Sequence, residues 1–170
     1  ALVSPLSSFA QPATKVWRVG FLSPRHVDFT DADVYYGPFR RGMRELGYVE
    51  GKNLVIEWRS AEGNYERLPG LASGMADLKV DVIVAAGSLA ISAAQKATAT
   101  IPIVMGGSPN PVGSGFVKSL ARPAGNITGL STLNEEVRLK QLEMLLDIVP
   151  RLSRAAILLN SANTANATSA

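Results

Sequence analysis

Short apolar runs alternate along this chain with stretches of helical periodicity, at intervals of about 30 residues, and few folds accommodate that rhythm. Residues 16–22 (VWRVGFL), 54–58 (LVIEW), 81–86 (DVIVAA), 101–105 (IPIVM), 127–130 (ITGL) and 155–159 (AAILL) are rich in β-branched and aliphatic residues and read as buried strands. Between them, Tyr35, Phe39, Met43 and Leu46 recur at helical spacing with Gly47 as a stop and Pro38 in the first turn. Residues 65–78 and 88–97 read as two further helices, the first despite Pro69 and Gly70. The strongest helical signal follows residue 131. Thr132 and Glu135 form a T-x-x-E capping box, and Val137, Leu139, Leu142, Leu145, Leu146 and Val149 make an apolar stripe that Pro150 ends. Strand and helix in this order predict βαβ units: an α/β fold with a parallel sheet between two helical layers.

In such sheets the ligand crevice lies beyond the carboxyl ends of the strands, so the residues that follow each strand carry the functional information. Four such segments are SPRH at 23–26, GSLA at 87–90, GGSPNPVGSG at 106–115 and STLN at 131–134. All are rich in small polar residues that hydrogen-bond without charge, and their glycines let backbone approach a ligand. At Gly87-Ser88 the expectation is specific. Ser88 suits an N-cap, leaving the N–H groups of Leu89, Ala90 and Ile91 unpaired at the positive end of a helix dipole, where an anion is stabilised. Pro109 and Pro111 stiffen the neighbouring loop into a preformed cradle.

Several chemistries find no support. The only Gly-Lys, at Gly51-Lys52, is followed by Asn53 rather than Ser or Thr, and GFLSPRHVDF replaces a G-x-G-x-x-G after the first strand. Neither nucleotide motif is present. There is no cysteine and one histidine, His26, which removes thiol chemistry and leaves little for a metal site. No G-x-S-x-G elbow occurs, so no catalytic residues and no cofactor are assigned. Asp28, Asp31 and Asp33 beside His26 form an acidic loop that fits a solvated turn better than a cation site. The 17 basic and 14 acidic residues are scattered apart from Arg40, Arg41 and Arg44, which gives no nucleic-acid footprint. Residues 1–13 read as the remnant of a signal peptide, with Ser8-Phe9-Ala10 as the small-x-small site, or as a disordered extension.

Four blocks of sequence then point to a family. RRGMRELGYVEGKNLVIEWRSAEG at 40–63, DVIVAAGSLAISAAQKATATIPIVM at 81–105, PVGSGFVKSLARPAGNITGLS at 111–131 and KQLEMLLDIVP at 140–150 resemble, in order, the ABC-transporter substrate-binding proteins of the tryptophan/tyrosine type. The resemblance implies a flavodoxin-like three-layer α/β/α lobe of a type 1 periplasmic-binding fold, closing over a small solute together with a second lobe. Members are roughly twice as long, in keeping with two lobes of ordinary domain size. It therefore implies a first lobe at 14–160 and the start of the crossover to a second at 161–170. It also implies an extracytoplasmic, non-enzymatic protein, a membrane permease as partner, and an amino-acid-like ligand. A sheet edge left open in a lone lobe would favour a homodimer. Carried over residue by residue, the ligand-binding positions are Ser23, Gly87, Ser88, Leu89, Ser108 and Asn110. Two departures stand out: Asn110 replaces the usual Asp before Pro111-Val112, and Ala124-Gly125 replaces Gly-Gly. The first puts a charge contact from that loop to a ligand amine in doubt. The competing reading is a flavodoxin- or response-regulator-like domain working through the Asp28 to Asp33 loop.

Overall fold

The computed structural model describes residues 15–28, 33, 36–132, 134–149 and 151–156. Five strands, β1 (Trp17–Ser23), β2 (Leu54–Ser60), β3 (Val82–Ala85), β4 (Ile103–Ser108) and β5 (Ile127–Ser131), form one sheet in the order β2-β1-β3-β4-β5. Every pairing is parallel. This is the flavodoxin-like order, and its switch point lies between β1 and β3.

Helices α1 (Tyr36–Glu45), α2 (Leu68–Asp77) and α3 (Ser88–Ala97) clothe the sheet. Side chains alternate across each strand, so β1 sends Val19 and Phe21 to one face and Leu22 to the other. On the first face Tyr36, Phe39 and Met43 of α1 cover Val19, Phe21 and Ile56. Phe21 lies edge-on to Tyr36 at 4.7 Å between ring centroids. On the second, Leu68, Ala72 and Met75 of α2 and Ala90, Ile91 and Ala94 of α3 cover Leu22, Ile83, Ile103 and Met105. Burial on both faces is what the continuous apolar runs require.

Several boundaries differ from expectation. Tyr35, expected to open the first apolar stripe, lies outside the described residues, and Leu46 at the far end is 75% exposed because α1 stops at Glu45. The single helix read over 65–78 is a 3₁₀ turn, Tyr65–Arg67, followed by α2. Asn64 caps the turn by accepting from the Glu66 N–H, and Pro69, which lacks an N–H, stands where α2 begins. β4 runs on to Ser108, past a bulge at Gly106-Gly107 after which its ladder with β5 resumes. The expected strand at 155–159 falls from residue 157 outside the described residues, and Ala155 and Ala156 are not in a strand. Helix α4 (Asn134–Ile148) does form, yet Val137, Leu142, Leu145, Leu146 and Val149 of its stripe are all exposed. No described element covers them.

β4 and β5 approach so closely at one point that only glycine fits. A Cβ on Gly129 would overlap the Met105 backbone, with the Met105 Cα at 2.8 Å, and its φ of +139° is one that side chains rarely adopt. Gly129→Ala should therefore lower unfolding stability by about 2–4 kcal/mol in urea titrations. Gly42→Ala, with nothing within 4 Å in α1, should raise it by up to about 1 kcal/mol.

At the opposite end of the sheet Asp81 ties β3 to β1. Its Oδ2 accepts the Arg18 N–H at 2.8 Å, its own N–H donates to the Arg18 carbonyl at 2.8 Å, and Lys15 Nζ lies 2.6 Å from Oδ1. The Lys15 hydrogen bond, then the Arg18 amide, holds the carboxyl below its ordinary value of 3.8. A carboxyl depressed by folding contributes stability at pH values above its unfolded pKa and loses it as pH falls through the lower folded one. Asp81→Asn should thus cost stability at neutral pH and progressively less as pH falls below the carboxyl's ordinary value of 3.8. A destabilisation in urea titrations that does not shrink with acidification would contradict this.

Candidate functional site

The carboxyl ends of β1, β3, β4 and β5 bring together segments 23–26, 86–90, 106–115 and 131–132. Strands β1 and β3 flank the switch point, and the Ala86 N–H donates to the Leu22 carbonyl at 2.9 Å, joining their ends.

The corner after β3 is built differently in detail from its sequence reading. Gly87, not Ser88, is the N-cap of α3, and no side chain caps the helix. Gly87 takes φ 81° and ψ 162°, a region essentially restricted to glycine, which is why the strand can turn into a helix here within one residue. The Ile91 N–H donates to the Gly87 carbonyl at 3.1 Å and so is already paired. The first-turn amides that find no acceptor among the described residues are those of Ser88, Leu89 and Ala90. Among the described residues beyond its chain neighbours, nothing lies within 4 Å of the position a Gly87 Cβ would occupy.

The loop after β4 is held as a rigid turn. Asn110 Oδ1 accepts the Gly113 N–H at 2.7 Å and the Asn110 carbonyl accepts from Ser114 at 3.0 Å. Phe116 and Val117 are buried beside α3, and Gln95 Nε2 donates to the Gly115 carbonyl at 3.1 Å. A carboxylate oxygen in place of the Asn110 amide would accept the same Gly113 N–H, so the departure from Asp preserves the turn while removing its charge.

Ser23 ends β1 and is 1% exposed. Its Oγ accepts the Tyr36 hydroxyl at 2.9 Å and the Arg25 N–H at 3.3 Å, and donates to the Arg25 carbonyl at 3.2 Å. These bonds tie the loop after β1 to α1. The acidic loop is also used structurally: Asp33 Oδ1 accepts the Tyr36 N–H at 3.0 Å and its carbonyl accepts from Gly37, so Asp33 caps α1. Asp31 lies outside the described residues, and among these no three His, Asp or Glu groups gather as metal ligands would.

Ser108, expected in the loop, is the last residue of β4 and fully buried. Its register partner is Ser131, the end of β5, and the Thr132 N–H donates to the Ser108 carbonyl at 2.9 Å. Neither serine Oγ has a hydrogen-bond partner. Ser131 was not singled out by sequence reading, although it opens the STLN segment; its signal was only that it follows a strand. A separate groove of about 220 Å³, lined by Met43, Tyr48, Leu54 and the Arg40–Glu50 ion pair, lies at the amino end of β2. It is remote from these segments.

Comparison with known proteins fits this arrangement. Residues 27–170 match the family model described as ABC transporter substrate binding protein. A tyrosine-binding protein of Clostridioides difficile is 32% identical over 124 residues, covering 72% of this chain and 35% of the relative. A crystal structure of a conserved domain protein from Vibrio cholerae superposes with a TM-score of 0.76 at 30% identity, covering 91% of this chain and 51% of that one. An ABC domain in complex with L-Trp from Streptococcus pneumonia gives 0.61 at 25% identity, covering 68% and 38%. The chain belongs to the ABC transporter substrate-binding protein family, and its lobe has the type 1 periplasmic-binding fold. It spans about a third to a half of the length of these relatives.

Removing Ser23 leaves the buried Tyr36 hydroxyl without its acceptor, whereas Tyr36→Phe leaves Ser23 bonded to Arg25. Ser23→Ala, which strands the Tyr36 hydroxyl, should cost about 1–3 kcal/mol. The double variant with Tyr36→Phe should cost less than the sum of the two single changes, as a double-mutant cycle of urea titrations would measure.

Proposed function

We propose that this chain binds an amino-acid-like solute by its carboxylate at the carboxyl end of the sheet, as part of the substrate-binding component of an ABC importer. The observation that carries the reading is the corner at Gly87, where three first-turn amides of α3 lack acceptors among the described residues. The helix dipole and those donors favour a compact anion and ask for no bond-making chemistry. Of the residues carried over from the family, Gly87, Ser88 and Leu89 supply that seat. Ser108 stands beside it on the next strand but one from β1, while Ser23 and Asn110 hold their loops in shape. The relatives named for tyrosine and for L-Trp make aromatic amino acids the first candidates.

The longer protein would work outside the cytoplasm by closing a second lobe over the solute and handing it to a permease. Ligand favours closure only through its better contacts in the closed form. The bare stripe of α4 supports a further covering part of that protein, as does the length of the relatives. A second copy pairing along β5, an outer strand of the sheet, would appear as a dimer in native mass spectrometry.

Calorimetric titration of the chain with each of the twenty amino acids tests the reading. We expect L-tyrosine or L-tryptophan to bind with a Kd on the order of 1 mM, because one lobe supplies only part of the contacts. Gly87→Val should weaken that at least tenfold. Absence of binding by all twenty, with the 88–90 amide resonances unmoved, would overturn it.

A further inference from the structure

The tight basic group in the sequence, Arg40, Arg41 and Arg44, plays no part at the carboxyl edge. Residues 40–53 hold four basic and two acidic residues, whereas all 170 residues together carry a surplus of three. Positive charge is thus concentrated where α1 ends and the chain returns to β2, which is also where the groove of about 220 Å³ lies. Strand β2 runs parallel to β1, so this is the end of the sheet opposite to the Ser23 loop and the Gly87 corner.

The turn that walls the groove is built by its own sequence. Helix α1 stops at Glu45 in a Schellman motif: the Gly47 N–H donates to the Arg44 carbonyl at 2.9 Å and the Tyr48 N–H to that of Met43 at 2.8 Å, with Gly47 at φ +86°. Asn53 then braces the loop. Its Oδ1 accepts the Val49 N–H at 2.7 Å and its Nδ2 donates to the Gly47 carbonyl at 2.9 Å. Leu54 bonds the same loop, its N–H donating to the Val49 carbonyl and its carbonyl accepting from Gly51. Glu50 is fixed by Arg40, whose Nε and Nη2 both donate to Glu50 Oε2, at 3.1 and 2.9 Å. A hollow held by so many local bonds is preformed and loses little freedom when filled.

Its lining divides by character. Leu54 and Ile56 of β2 are buried and Met43 of α1 packs against their cluster, giving an apolar floor, while Arg40, Arg44 and Glu50 carry the charge. The one carboxylate in the lining already receives two donors from Arg40, and Arg41, Arg44 and Lys52 leave this stretch of chain positive. A guanidinium offers five donors in a fixed fork that matches a carboxylate. An ammonium would meet the same surplus as repulsion. The volume lies below the roughly 300–1,000 Å³ of pockets for drug-sized ligands, which limits an apolar body to about one ring or a chain of about six carbons. We propose that this groove is a second binding site, separate from the solute site at the carboxyl edge, for a small carboxylate with an apolar body.

Amide NMR titration of the chain with hexanoate, hexylamine and 1-hexanol tests this. Hexanoate should move the Met43, Val49 and Ile56 resonances together, with a Kd on the order of 1 mM, as suits a ligand of so few atoms. Hexylamine, of similar length and opposite charge, should leave them unmoved, and 1-hexanol should bind at least about threefold more weakly than hexanoate. Arg44→Gln, at an exposed position, should weaken hexanoate about three- to fivefold without changing the affinity for 1-hexanol or the melting temperature. The same variant should leave L-tyrosine at the 88–90 amides unaffected; parallel loss of both ligands would overturn the separation of the two sites. The proposal would also fall if hexylamine moved the same resonances as hexanoate, if Arg44→Gln bound hexanoate as wild type does, or if hexanoate moved nothing between residues 43 and 56. Because the groove is read at 43–56 and the corner at 88–90, either site can fail without the other.

Discussion

A helix that follows a strand in a parallel sheet starts beyond that strand's carboxyl end, so its unpaired first-turn amides gather on one edge of the molecule. The proposed site depends on that. The order β2-β1-β3-β4-β5 puts the switch point between β1 and β3, and α3 begins beside it at Gly87. Without a side chain over the cap, the amides of Ser88, Leu89 and Ala90 find no acceptor among the described residues. Polar backbone in that state inside a crevice favours an anion more strongly than the same groups would in bulk water.

Rigidity around the edge comes from bonds that the chain makes with itself. Ser23 and Tyr36 join the first loop to α1, Asn110 folds the turn at 110–114, and Phe116 with Val117 anchors the far side of that turn against α3. A site assembled from such segments loses little conformational freedom on binding. The exposed stripe of α4 shows the complementary case: its helical periodicity is intact while its apolar face has no described counterpart.

The α/β class, the five strands and the Gly87 corner were all legible in the sequence, because apolar runs and helical stripes report burial directly. The assignment of the cap was off by one residue. Ser is the better N-cap by preference, but a turn with φ 81° and ψ 162° admits glycine and excludes serine. Ser23, expected just after the first strand, ends it, and its hydroxyl serves Tyr36, a partner 13 positions away that no local pattern could supply. Ser131 escaped because a serine ending a strand draws no notice until its register partner is known.

What the sequence determined by itself is therefore the set of elements and the edge on which to look, since both follow from local periodicity and from the geometry of parallel connections. Only the tertiary structure decided which polar groups on that edge are already satisfied. Hydrogen bonding between Ser23 and Tyr36, or its absence at Ser108 and Ser131, is settled by contacts between residues far apart in the chain. Those contacts exist only once β1, β4 and β5 have been packed into one sheet.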